Sequence, residues 1–153
     1  MLTKFWYSRT GWSICRRREI IMGKTRKDRL KIMIIEDEPD ILTLYNDYLS
    51  RIGHQVINRY LNWDTIITDI QNEAPDIYLI DYRLPGNKNG IDVAIEIFNK
   101  FPRAPILFIT AHEPLLSEIS KYPELRAKNI MVLTKPVRLN RIETSMLFLV
   151  NKK

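Results

Sequence analysis

Four times in this chain a short apolar run ends abruptly in a polar or charged residue: Ile32 to Ile35 before Glu36, Ile77 to Ile80 before Asp81, Ile106 to Ile109 before Thr110, and Ile130 to Leu133 before Thr134 and Lys135. Each run is too short for a helix, and none alternates with polar residues. Such segments are strands that need cover on both faces, which is the habit of parallel sheets wrapped by helices.

The intervals between the runs carry that cover. Pro39 suits a first helical turn, and Ile41, Leu44, Tyr45, Tyr48 and Ile52 follow at spacings of three and four until Gly53. Val56 to Tyr60 alternates with polar residues and predicts an exposed edge strand, after which Asn62 caps a helix bearing Trp63, Ile66, Ile67 and Ile70. Pro75 stops it. A turn-rich stretch from Leu84 to Gly90 precedes a helix with Ile91, Ala94, Ile97 and Phe98 inward. Leu115, Leu116, Ile119 and Tyr122 predict a helix that Pro123 interrupts, and Leu139, Ile142, Met146 and Leu149 predict the last one. Five strands alternating with five helices make an α/β fold, a doubly wound parallel sheet with right-handed crossovers.

At 153 residues the chain is expected to hold one domain, with no room for a separate output domain. The formal charge of +6 is unevenly spread. Residues 1–31 carry ten Lys/Arg against two acids, whereas the remainder holds fourteen basic and sixteen acidic side chains. The expected division is therefore a basic, flexible extension over 1–30 and a folded domain over 31–153. Three readings of the arm stay open: a bland extension ahead of a start at Met22, docking on an acidic protein surface, or nucleic-acid contact through Lys/Arg beside Trp6, Tyr7 and Trp12. Gly23-Lys24-Thr25 is not the end of a phosphate-binding P-loop, because Arg18 stands where that motif needs glycine. Cys15 has no partner for a disulfide or metal site, and no run approaches the roughly 18 apolar residues of a membrane span, so a cytoplasmic location is expected.

In doubly wound sheets ligands gather beyond the carboxyl ends of the strands. Glu36, Asp37, Asp81, Thr110 and Lys135 all fall there. If the first and third strands are neighbours, the carboxylates converge and repel, and a cation relieves them. Oxygen donors without Cys or His favour a hard ion, Mg²⁺ rather than Ca²⁺ where few protein ligands are available. A carboxylate beside a cation, an ammonium and a hydroxyl is equipped to attack a phosphoryl group, with Asp81 as nucleophile and Thr110 and Lys135 meeting the charged product.

Four stretches, Ile-Ile-Glu-Asp-Glu-Pro-Asp-Ile at 34–41, Ile-Asp-Tyr-Arg-Leu-Pro at 80–85 followed by Gly90, Ile-Thr-Ala at 109–111 and Leu-Thr-Lys-Pro at 133–136, together resemble the receiver domain of two-component response regulators. The resemblance covers residue 31 to about residue 150. It implies the flavodoxin-like (βα)5 fold with strand order 2-1-3-4-5, and a sensor histidine kinase or phosphotransfer protein as phosphodonor to Asp81. It further implies Mg²⁺ held by Glu36, Asp37, Asp81 and the backbone carbonyl of Arg83, Thr110 as switch hydroxyl, Lys135 as the paired lysine and a cis peptide before Pro136. A stand-alone receiver, not an enzyme, then signals through a separate downstream protein.

Departures from the family pattern accompany the matches. Val132 occupies the position of its aromatic switch residue, the Thr110 to Lys135 interval is a few residues long, and the loop from Asp81 to Gly90 is one residue long. Arg83 stands where a phosphatase working through an aspartyl phosphate would carry its acid/base Asp, and no helix-turn-helix follows the domain to support DNA reading. His112, two residues after Thr110, is expected as an exposed loop imidazole or an aid to hydrolysis, and His54 as structural.

Overall fold

The computed structural model describes residues 29–60 and 74–152. The basic arm up to residue 28 and the helix expected over Asn62 to Ile70 lie outside the described residues.

Five strands, β1 (Lys31–Ile35), β2 (Gln55–Tyr60), β3 (Ile77–Ile80), β4 (Ile106–Thr110) and β5 (Ile130–Thr134), form one parallel sheet in the order β2-β1-β3-β4-β5. This is the doubly wound order, with β2 at one edge as the alternating Val56 to Tyr60 pattern predicts. The described helices are α1 (Pro39–Arg51), α2 (Gly90–Lys100), α3 (Leu115–Ile119) and α4 (Leu139–Asn151).

The unbroken apolar runs are explained by what covers them. Along the strands, Met33, Ile35, Tyr78, Ile80, Ile106 and Phe108 pack with Ile91, Ala94, Ile97 and Phe98 of α2 and Leu115 of α3. The alternate residues Ile32, Ile34, Ile77, Leu79, Leu107 and Ile109 pack with Leu42, Tyr45 and Leu49 of α1 and Ile142, Met146 and Leu149 of α4. Strand side chains point to opposite faces in turn, so two apolar layers require strands with no polar position. Each fully buried aliphatic side chain contributes about 1.5–3 kcal/mol.

Pro123 has the effect expected of it. Helix α3 ends after five residues, and Pro123 opens a separate 3-10 turn, Pro123–Leu125, because a proline has no N–H to extend the earlier helix. Leu125 is buried, so the interruption redirects an apolar anchor into the core instead of exposing it.

Candidate functional site

Register delivers the site. Ile35 pairs with Ile80, so Glu36 and Asp81 leave the sheet side by side, and the Asp81 N–H donates to the Ile35 carbonyl at 2.9 Å. Thr110 pairs with Thr134, and the Lys135 N–H donates to the Thr110 carbonyl at 2.8 Å. The next peptide, Lys135–Pro136, is cis. Residues 99 positions apart in the chain thus face one another: Lys135 Nζ lies 2.8 Å from Glu36 Oε2 and 3.2 Å from Asp81 Oδ2, with Glu38 Oε1 at 3.7 Å.

A glycine makes the loop after β3 possible. A Cβ on Gly90 would collide with the Asp81 carbonyl oxygen and lie 2.9 Å from Tyr82 Cα and 3.1 Å from the Phe108 ring. The Gly90 N–H donates to the Tyr82 carbonyl at 2.8 Å, drawing the start of α2 against the residue after Asp81. Asn89 fixes that start. Its Oδ1 accepts from the Ile91 and Asp92 amides at 2.8 and 3.2 Å, while Asp92 Oδ2 accepts from the Asn89 N–H at 2.8 Å, a reciprocal capping box.

The electrostatics are those of crowded acids held by one ammonium. Burial raises the Glu36 pKa above 4.5; the hydrogen bond from Lys135 opposes this, and the neighbouring Asp81 charge adds to it. Burial alone would depress Lys135, but its hydrogen bond to Glu36 and the charges of Asp81 and Glu36 outweigh that and push it up to about 12. The two upward shifts have different origins: burial dominates for Glu36, whereas for Lys135 the adjacent carboxylates outweigh burial. Tyr45, on α1 beneath the cluster, is pushed up to about 12 by burial, with Lys135 pulling the other way and the carboxylates adding to the rise.

Glu36, Asp81, Thr110 and Lys135, expected to meet, do so at one rim; Glu36 and Asp81 are buried beside the lysine and Thr110 is 1% exposed. Arg83 is exposed, and its N–H lies 3.4 Å from Asp81 Oδ1. Asp37 is placed differently from Glu36. The carboxylates that each bring an oxygen within 4.8 Å of the other two are Glu36, Glu38 and Asp81, and Asp37 is partly exposed outside that group. The chain bends at Asp37, and the Glu38 N–H donates to Glu36 Oε1 at 3.3 Å, which ties the two acids together. Glu38 was legible as the third acid of the Glu-Asp-Glu run but drew no role from the sequence.

His112 is not a free loop imidazole. Its Nε2 lies 2.8 Å from Glu118 Oε1, and its ring stacks on Tyr82 with centroids 4.5 Å apart and planes 18° apart. Tyr82 and Glu118 carried no role in the sequence, because neither spacing nor residue type ties positions 82, 112 and 118 together. His54 is buried and accepts the Leu30 N–H through Nδ1 at 3.3 Å.

Residues 32–146 match the family model for the response regulator receiver domain. The chain belongs to the response regulator receiver family. The receiver is 28% identical over 113 residues to the luminescence regulatory protein LuxO of Vibrio campbellii and, to the same extent, to the regulatory protein LuxO of Vibrio parahaemolyticus; the match takes in 74% of this chain and 24% of each relative. It therefore spans about a quarter of the length of the curated relatives it matches. Among solved structures, the receiver shares its fold with a response regulator receiver protein from Sinorhizobium medicae (TM-score 0.69, 22% identity, 82% of this chain and 97% of that one). The receiver domain of the response regulator PhyR from Erythrobacter litoralis is similar as well (TM-score 0.69, 26% identity, 82% and 92%). No helix among the described residues is long and apolar enough to cross a membrane.

Proposed function

We propose that this receiver is a phosphoacceptor whose Asp81 takes a phosphoryl group from a sensor histidine kinase or phosphotransfer protein and whose altered surface is read by a separate protein. The observation that carries the reading is the convergence of Asp81, Glu36 and Lys135 where β1, β3 and β5 end, with Lys135 Nζ 3.2 Å from the acceptor oxygen and 2.8 Å from its neighbour.

An Asp81 carboxylate oxygen attacks phosphorus, the bond from phosphorus to the donor imidazole nitrogen breaks, and the imidazole leaves with the electron pair and takes a proton. Lys135 stays protonated throughout, since its pKa is pushed up to about 12, and it supplies fixed positive charge to the transferring oxygens. Thr110 offers a hydroxyl one residue beyond the level of the acceptor. Arg83, exposed and two residues after Asp81, offers no carboxyl for acid/base turnover, which favours a stored phosphoryl group over a phosphatase cycle.

The donors present fit a hard divalent ion, because the group is carboxylate oxygen only. Glu36, Asp37, Asp81 and the Arg83 carbonyl would hold Mg²⁺, with Glu38 as an additional nearby acid. An ion held there would supply positive charge to the phosphoryl oxygens.

Incubation with Mg²⁺ and acetyl phosphate is expected to add one base-labile phosphoryl group per chain, read by intact mass. Asp81→Asn is expected to lose it completely. Label persisting in that variant would overturn the assignment.

A further inference from the structure

Three segments meet at one side-chain cluster next to the acceptor. Tyr82 immediately follows Asp81. His112 lies just past β4, its ring stacked on Tyr82, and its backbone N–H donates to Thr110 Oγ1 at 3.2 Å. Glu118, from α3, takes the His112 Nε2 contact at 2.8 Å, and its influence helps push the Tyr82 hydroxyl pKa up to about 12. The carboxylate thus holds the His112 ring, which in turn stacks on Tyr82, and both rings belong to residues next to those that would react or respond.

Val132 on β5 packs against the same apolar cluster as Tyr82, Ile119 and Tyr122 but has no polar atom or ring to exchange partners. A change at Asp81 has the Tyr82–His112–Glu118 cluster as its polar route to α3 among the described residues.

We infer that Tyr82, His112 and Glu118 form a relay that couples the state of Asp81 to the position of α3. The inference rests on the phosphoacceptor reading above. Its element with two arrangements is the Thr110 hydroxyl. In the structure Oγ1 accepts the His112 N–H; when it turns toward a phosphoryl group on Asp81, either His112 follows or its amide loses that acceptor. The stack on Tyr82, whose backbone is pinned by Gly90, opposes a free swing of the ring. Displacement then passes through His112 Nε2 to Glu118, and α3, only five residues long and closed by Pro123, moves with it. His112 and Glu118 are positioning residues: neither is assigned to the phosphoryl group.

The test is a titration of the full chain with Mg²⁺ and beryllofluoride, followed by backbone amide shifts in NMR spectra. In the unmodified protein the amides of Tyr82 and Arg83 and those of Leu116 to Ile119 are expected to shift along one binding curve. His112→Phe keeps a stacking ring but loses the Glu118 contact, and Glu118→Gln removes the charge that faces His112. In both variants the Tyr82 and Arg83 shifts should persist, while the α3 shifts fall to less than about half.

Undiminished α3 shifts in both variants would overturn the relay, as would an unmodified protein whose α3 amides stay still while its acceptor loop responds. Loss of the acceptor-loop response in the variants would also overturn it, since the residues would then act at the site itself. No response anywhere in the unmodified protein would instead remove the phosphoacceptor reading, and the relay with it.

Discussion

The two rims of the sheet treat polar groups in opposite ways. At the amino rim they close backbone gaps: His54 accepts the Leu30 N–H, Asp76 Oδ2 accepts the Lys31 N–H at 2.7 Å, and Asn129 Nδ2 donates to the Leu149 carbonyl at 3.0 Å. At the carboxyl rim Glu36, Glu38 and Asp81 crowd one another and share Lys135. The first arrangement pairs one atom of each side chain with backbone and gathers no like charge, although His54 Nε2 and Asn129 Oδ1 stay buried without a hydrogen-bond partner. The second keeps acids together against their repulsion, which is the arrangement the proposed phosphoacceptor function calls for.

Four substitutions test that contrast, beginning with the largest effect. Gly90→Ala should destabilise the receiver by about 3 kcal/mol or more in urea unfolding, because the new methyl meets backbone at Asp81 and Tyr82 that cannot yield cheaply. Little loss would mean that the acceptor loop is softer than its contacts indicate. Lys135→Met should cost about 2–3 kcal/mol by leaving Glu36 and Asp81 adjacent without their ammonium, and added Mg²⁺ should restore part of it.

Glu36→Gln should act in the opposite direction. The folded-state pKa of Glu36 is raised, so the fold prefers its protonated form, and stability falls as pH rises from the unfolded value through the folded one. At neutral pH the neutral amide should therefore stabilise by up to about 1 kcal/mol while weakening Mg²⁺ binding. A lower unfolding midpoint would show that the Lys135 pairing dominates after all.

The smallest effect belongs to the amino rim. Burial lowers His54 below 6.5, with Glu143 only partly opposing, so the fold prefers neutral imidazole. Its stabilisation is complete above 6.5 and is lost as pH falls from there through the folded value. Between about pH 7.5 and about pH 5.5 the decline in unfolding free energy, read by urea unfolding, should be shallower in His54→Gln, by about 0.5 kcal/mol. Equal slopes would exclude His54 as a source of the pH dependence.

Much of the carboxyl rim was legible because strand runs stop where chemistry starts. Ile32 to Ile35 and Ile77 to Ile80 announce buried strands, and the residue after each is an acid that the following loop leaves at the rim. Glu38 was not legible as a member of the cluster, since the turn into α1 decides which of three successive acids points back toward Asp81. Nor was the fate of His112. Its exposure depends on Tyr82 and Glu118, which reach it from two other segments.

Period, run length and the order of strand-end residues are local properties, and they determined on their own the alternating α/β layout and the identity of Asp81, Thr110 and Lys135 as rim residues; the inward face of α1 they gave only in part, since Leu42, Tyr45 and Leu49 are buried while Leu44 and Ile52 are exposed. Distances between segments are set by register and crossover, which no local pattern encodes. Only the folded sheet decided that Ile35 lies level with Ile80, that Lys135 is divided among three carboxylates, and that His112 meets Tyr82 and Glu118 from two other segments.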